Sequence, residues 1–182
     1  MIESLYRLGV SLRNPTLEKY KGYLQETDKL PLAKLEEIQL EKCKNLLAFA
    51  YEYSSYYKEL FDSVSFDPNS FNSLEDLKRI PITDKRTLIL INDDIHSKYH
   101  FKRTSIAETS GTTGESLKFT RDEFWDSANR AALFRYYDWY NVKPWERNGY
   151  FWGYDIKKKN VFKTKVLDSI QNRFRVFSYE EQ

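Results

Sequence analysis

Residues Thr109 to Ser116 read Thr-Ser-Gly-Thr-Thr-Gly-Glu-Ser, a stretch without a single bulky side chain. Glycines at 111 and 114 allow positive φ and bring main-chain N–H groups close to a bound group, while Ser110, Thr112 and Thr113 add hydroxyl donors. Several short donors that converge without steric bulk suit phosphate oxygens. The stretch is not a Walker loop, because its glycine spacing is shorter and Glu115 stands where that loop carries lysine. It is not a dinucleotide fingerprint either, since the third glycine is missing and the order of strand and helix differs. A polar hairpin turn without a ligand is the competing reading. Ser110 makes a poor hydrolase nucleophile: the Gly-x-Ser-x-Gly elbow is absent and no histidine lies nearby in sequence.

Two further clusters could do chemistry. Asp93, Asp94, His96 and His100 fall within eight residues, and the four-residue histidine spacing puts both rings on one face of a helix, as a metal would need. No glutamate follows His96 as in the metalloprotease helix, and a solvated polar helix end accounts for the same residues, so no metal ligand is assigned. Lys157, Lys158, Lys159, Lys163, Lys165, Arg173 and Arg175, interleaved with Phe162 and Phe174 and opposed only by Asp168, could follow a nucleic-acid backbone while the rings stack on bases. A solvated face with inward aromatics explains that segment better, because the whole chain is nearly neutral.

The elements that must carry these residues are legible from periodicity. Residues 15 to 64 read as helical, with Pro31 opening a long segment in which Leu32, Leu35, Ile38, Leu46, Leu47 and Ala50 recur at three- and four-residue spacings. Ser55 is a candidate N-cap for the next helix, Ser73 and Asp76 have capping-box spacing, and Thr83 follows Pro81 as the next cap. Residues 103 to 120 alternate in the manner of two short strands joined by a loop spanning Ser110 to Gly114. Residues 121 to 142 read as a largely buried helix with Asp122 and Glu123 in its first turn, and "NGYFWGYD" as a short buried strand. A strand from Arg173 to Phe177 precedes Ser178 and Glu181, again at capping-box spacing; a helix start with no helix after it reads as a fragment of a longer protein.

The chain has 182 residues, 41% hydrophobic and 16% aromatic, which supplies a core for one ordinary domain. Its 29 basic and 27 acidic residues leave a net charge of +2, excluding a surface built as a whole to attract nucleic acid or anionic lipid. The lone cysteine, Cys43, rules out an intramolecular disulfide and a multi-cysteine zinc site. Glu3 and Arg7 interrupt the N-terminal segment, unlike a signal peptide, and no apolar run is long enough to span a bilayer, so the cytoplasm is the default location.

Thr109-Ser110-Gly111-Thr112-Thr113-Gly114 resembles the phosphate-binding signature of the adenylate-forming enzymes. "YEYSSYYKELF", "FNSLEDLKRIPITDKRTL" and their spacing to the loop resemble the phenylacetate-CoA ligase family, and "WYNVKPWERNGYFWG" resembles its CapK-like, capsular polysaccharide branch. The resemblance implies an α/β fold in which a mainly helical portion, 1–100, precedes the opening strands and helix of a truncated AMP-binding large domain, 101–182. It implies the N-terminal part of an ATP-dependent ligase that activates a carboxylate as an acyl-adenylate. ATP and a small-molecule carboxylate would be the ligands, Mg2+ the implied metal and CoA a candidate acceptor; no nucleic acid or membrane span is expected, and the oligomeric state is left open. Residues 109 to 114 would embrace the β- and γ-phosphates. Where the superfamily loop often ends in Pro-Lys, this chain has Ser116-Leu117, with Lys118 next. No catalytic residue is assigned, because the adenine and acyl motifs, the magnesium-binding acid and the catalytic lysine of this superfamily follow the region covered. The alternative reading is a non-catalytic helical interaction module or a basic nucleic-acid-binding module.

Overall fold

The computed structural model describes residues 2–109, 116–151 and 161–176. Helices come first: α1 (Ile2–Arg13), α2 (Leu17–Thr27), α3 (Leu32–Tyr53) and α4 (Ser55–Ser63), then two 3-10 turns at Pro68–Ser70 and Leu74–Arg79, then α5 (Lys85–Leu90) and α6 (Asn92–Ile95). Strands β1 (Thr104–Glu108) and β2 (Lys118–Asp122) follow, then α7 (Glu123–Trp139), β3 (Asn148–Phe151), α8 (Val161–Ile170) and β4 (Arg173–Val176). This is the mixed order, helices before strands and a helix, that the sequence led us to expect. The chain divides into two compact units, one of residues 26–125 and one of residues 1–25 with 126–182.

In the unit 26–125 the core is aromatic. Leu47, Phe61, Phe66 and Phe71 are buried, with Leu40, Cys43, Tyr51, Tyr57, Leu60 and Ile80 packed around them. Phe66 meets Phe61 edge-on at 5.1 Å and Phe71 at 6.5 Å, the geometry that the ring quadrupoles favour. Local capping fixes the turns around this core. Ser73 and Asp76 form the anticipated capping box, although the element it starts is a 3-10 turn. Ser54, one residue before the expected cap, starts α4, and Asp84 rather than Thr83 starts α5 by accepting the Thr87 amide at 2.7 Å. That amide and the Thr87 hydroxyl hold the Asp84 carboxyl below the usual carboxylate range. β1 and β2 pair antiparallel, with Thr104 opposite Asp122 and Glu108 opposite Lys118.

In the unit formed by 1–25 and 126–182, Leu17, Ala131 and Phe134 are buried, with Tyr6, Val10, Tyr20, Leu24 and Tyr137 against them. Asn14 ends α1; its Nδ2 donates to Asp126 Oδ2 at 2.8 Å, and Arg13 Nε reaches the same oxygen at 3.2 Å. β3 and β4 are parallel, and the crossover between them holds α8, as parallel neighbours require. Asn141 and Asn172 follow α7 and α8 with φ of 53° and 50°, left-handed positions that asparagine tolerates at helix C-termini.

Two expectations of burial are also corrected. α7 is not largely buried: Ser127, Ala131 and Phe134 are, whereas Phe124, Trp125, Tyr136 and Trp139 are exposed. β3 is not a buried strand, since Gly149, Tyr150 and Phe151 are exposed. Apolar composition alone had suggested burial; the narrow buried stripe shows that few neighbours cover these elements among the described residues.

Candidate functional site

Strands β1 and β2 carry the Thr109–Ser116 stretch between them, as the alternating pattern anticipated. Ser110 to Glu115, which include five of the six candidate phosphate-binding residues, lie outside the described residues. Thr109 is described, and it closes the base of the loop. Its N–H donates to Leu117 O at 2.9 Å, continuing the ladder by one rung beyond Glu108 and Lys118. In return Leu117 N–H donates at 2.9 Å to Thr109 Oγ1. A hydroxyl thus receives the amide at the last rung. Next to it, Ser116 Oγ donates to the Glu108 carboxylate. Two side-chain bonds therefore tie the two strand ends together where the loop leaves.

The register also decides what β2 shows to the outside. Thr109 with Leu117 and Arg103 with Glu123 are hydrogen-bonded pairs, so odd-numbered residues of β2 turn their backbone toward β1 and even-numbered ones turn away. The outward groups are met by side chains from α6. Asn92 Nδ2 donates to Lys118 O at 2.7 Å, and Thr120 N–H donates to His96 Nε2 at 3.1 Å. His96 Nδ1 meets Asn92 O, so that nitrogen carries the proton and Nε2 is the acceptor. α6 is itself held by Ser54, 4% exposed, whose hydroxyl is shared between Asp94 O at 3.2 Å and Ile95 O at 3.1 Å.

The helical pairing of the two histidines is not met. His96 lies just after the end of α6, so His96 and His100 do not share a helix face. Both ring nitrogens of His96 are engaged with the backbone. Among the described residues no group of three or more His, Cys, Asp or Glu is placed to hold a metal ion.

The basic segment is only partly described: Lys157, Lys158 and Lys159 lie outside the described residues, as do Ser178 and Glu181 of the terminal capping pattern. Arg175 makes a bidentate pair with buried Asp168, and Arg173 Nε stands 3.8 Å from the same carboxylate. Arg173 also lies over the Tyr150 ring at 4.5 Å. The one acid of that segment is thus the centre on which its two arginines converge. On α3, Leu47 is buried, while Leu32 and Leu46 of the same helix are exposed. No helix among the described residues is long and apolar enough to cross a membrane. In the unit formed by 1–25 and 126–182, Tyr6, Asn14, Leu17, Phe134 and Trp145 line a cavity of about 680 Å³. Arg7 covers the Trp145 ring there at 4.5 Å.

No family model matches the chain. A phenylacetate-coenzyme A ligase of Thermus thermophilus is 38% identical over 101 residues, which cover 51% of this chain and 21% of that protein. Over that stretch the chain is similar to phenylacetate-coenzyme A ligases. Those of Aromatoleum evansii and Escherichia coli are 30% identical over 102 residues and 28% identical over 108. The match covers 52% and 54% of this chain, and 22% and 23% of those two ligases. The chain thus spans about a fifth of the length of the curated relatives it matches. Among solved structures, 2-hydroxyisobutyryl-CoA ligase with 2-HIB-AMP aligns at a TM-score of 0.49 and 15% identity, over 80% of this chain and 31% of that one. The same ligase with 2-HIB-AMP and CoA aligns at 0.49 and 17%, over 81% and 32%.

Asn92, Glu108 and Leu117 make contacts at the hairpin that motif reading missed. The signal for the first was present: Asn92 and His96 are four apart on one chain segment, and Lys118 and Thr120 two apart on another. Nothing in the sequence says that the two spacings face each other.

Proposed function

We propose that this chain is the N-terminal part of an ATP-dependent adenylate-forming ligase of the phenylacetate-CoA ligase type. The observation that carries the reading is the 38% identity over 101 residues to a ligase of that name. In the proposed reaction a carboxylate oxygen attacks the α-phosphorus of ATP, the bond to the β-phosphate breaks, and pyrophosphate leaves. A thiolate, that of CoA being the candidate, then attacks the acyl carbon and AMP leaves.

The part we give this chain is phosphate binding. Thr109, Ser110, Gly111, Thr112, Thr113 and Gly114 would surround the β- and γ-phosphates, with glycine N–H groups and hydroxyls as donors. Such a loop stabilises charge and fixes the leaving group without moving a proton itself. Mg2+ in such sites keeps several waters and binds phosphates with one or two carboxylates. The described residues offer no assembled set of ligands for it. In this reading 1–100 is a mainly helical portion and 101–182 begins the AMP-binding domain. The protein would work in the cytoplasm, with a role in capsular or cell-surface polysaccharide synthesis suggested by the resemblance of "WYNVKPWERNGYFWG". Completing adenylation would need residues beyond those of this chain.

Calorimetric titration with ATP and with pyrophosphate tests the reading, beside a Gly111→Val, Gly114→Val double substitution whose fold is checked by circular dichroism. We expect binding by the parent chain and its loss in the double variant. Equal binding by both would count against the loop. Pyrophosphate release by this chain alone with any carboxylate would contradict the division of labour.

A further inference from the structure

We infer that Asn92 and His96 are positioning residues for the phosphate loop, holding the hairpin that carries it by its outer edge. The inference rests on the reading of residues 109–114 given above. A two-stranded antiparallel hairpin leaves an outward row of N–H and C=O groups on each strand, and such edges either stay in water or find partners. On β2 the outward Lys118 carbonyl receives Asn92 Nδ2, and the outward Thr120 amide is received by His96 Nε2. Two side chains four residues apart at the end of one short helix thus act as a substitute strand. Their spacing matches the two-residue repeat of outward groups on β2.

The histidine is suited to this by its tautomer. Nδ1 is committed as a donor to Asn92 O, one turn back, so Nε2 presents a lone pair toward β2. The mount for both side chains is stiff, because Ser54 at the junction of α3 and α4 binds the last carbonyls of α6, and Lys98 N–H donates to Tyr53 O at 2.7 Å. A continuous set of bonds therefore runs from buried Ser54, at the junction of α3 and α4, through α6 to β2. The inner edge of β2 is closed independently, by Thr109 and Leu117. The loop leaves from a hairpin clamped on both sides, and its donors need that fixed base to converge on a phosphate.

Nitrogen-15 NMR of the histidine ring and amide exchange test the clamp without any ligand. We expect the His96 ring as the Nδ1–H tautomer with Nε2 as acceptor, and a Thr120 amide that exchanges slowly. His96→Ala should abolish that protection, and His96→Gln, whose Oε1 replaces the acceptor, should restore part of it. Pyrophosphate affinity, read by calorimetry, should fall about three- to tenfold in His96→Ala, the scale of a net hydrogen bond, and stay within about twofold in His96→Gln. Asn92→Ala should lower it in the same direction. An Nε2–H tautomer, or a Thr120 amide that exchanges equally fast in parent and His96→Ala, would overturn the clamp. Loss of Thr120 protection at unchanged affinity would overturn the positioning role and leave the phosphate reading intact. A Thr120 amide that behaves as expected in a parent chain that binds no pyrophosphate would overturn the phosphate reading, and the positioning role with it.

Discussion

Arg175 meets Asp168 through two bonds, Nε to Oδ2 at 2.7 Å and Nη2 to Oδ1 at 3.0 Å, and so fastens β4 to α8. The fork of a guanidinium matches the two oxygens of a carboxylate, which makes the pair directional as well as attractive. Asp168 is 9% exposed, and Arg173 approaches it from the same strand. Two residues that could have served a polyanion are instead turned to a carboxylate of their own chain.

Removing the carboxylate should therefore destabilise the parallel β3–β4 pair. Asp168→Ala leaves two arginines without their counter-charge and should cost about 2–3 kcal/mol, below the cost for a fully buried pair because both arginines keep some solvent contact. Asp168→Asn, which keeps an acceptor, should cost less. Urea unfolding followed by circular dichroism would rank the two, and an Asp168→Ala variant as stable as the parent would show that the pair is only ornamental.

Asp126 should make stability depend on pH. Burial pushes its carboxyl up, but the Asn14 amide and the guanidinium groups of Arg13 and Arg130 outweigh burial and hold it below 3.8. Its contribution is fully present above the unfolded-state value, roughly pH 4, and is lost as pH falls through the lower folded-state value. Thermal melts of the parent and of Asp126→Asn should differ at pH 6 and converge toward pH 3. Parallel curves would mean that Asp126 does not contribute to the acid response.

At the base of the loop, Thr109→Val removes the acceptor of the Leu117 amide while keeping the side-chain shape. It should cost about 1 kcal/mol and speed exchange of the Leu117 amide, and Thr109→Ser should restore both. Unchanged exchange in Thr109→Val would show that the amide finds its partner elsewhere.

Gly149 on β3 leaves no room for a side chain. An added Cβ would stand 2.7 Å from the Phe174 ring and 2.9 Å from that of Phe151, which meet edge-on at 6.1 Å. Phe174 is partly exposed and can swing, so Gly149→Ala should cost about 1 kcal/mol rather than the larger penalty of an overpacked core. Pairing it with Phe174→Leu should recover part of that loss in the same unfolding assay. Non-additivity between the two substitutions is the diagnostic.

Local chemistry was legible without coordinates wherever its partners are neighbours in sequence. The capping box of Ser73 and Asp76 closes over three residues, and the alternation on either side of the loop makes strands. Caps were misplaced by one residue at Ser54 and Asp84, because adjacent hydroxyl and carboxyl residues compete for the same amide and the backbone entry angle decides between them. The remainder needed tertiary structure for one physical reason: a side chain's partner is set by distance in space. His96 suggested a metal from its spacing to His100, yet its ring nitrogens go to Asn92 and to Thr120, 24 residues on. Arg173 and Arg175 suggested a polyanion, yet Asp168 lies beside them only after α8 turns back into β4. Composition made α7 apolar on most sides, and only packing restricted its burial to Ser127, Ala131 and Phe134. Type and spacing thus determined which groups were available, and the fold decided which of them were already engaged.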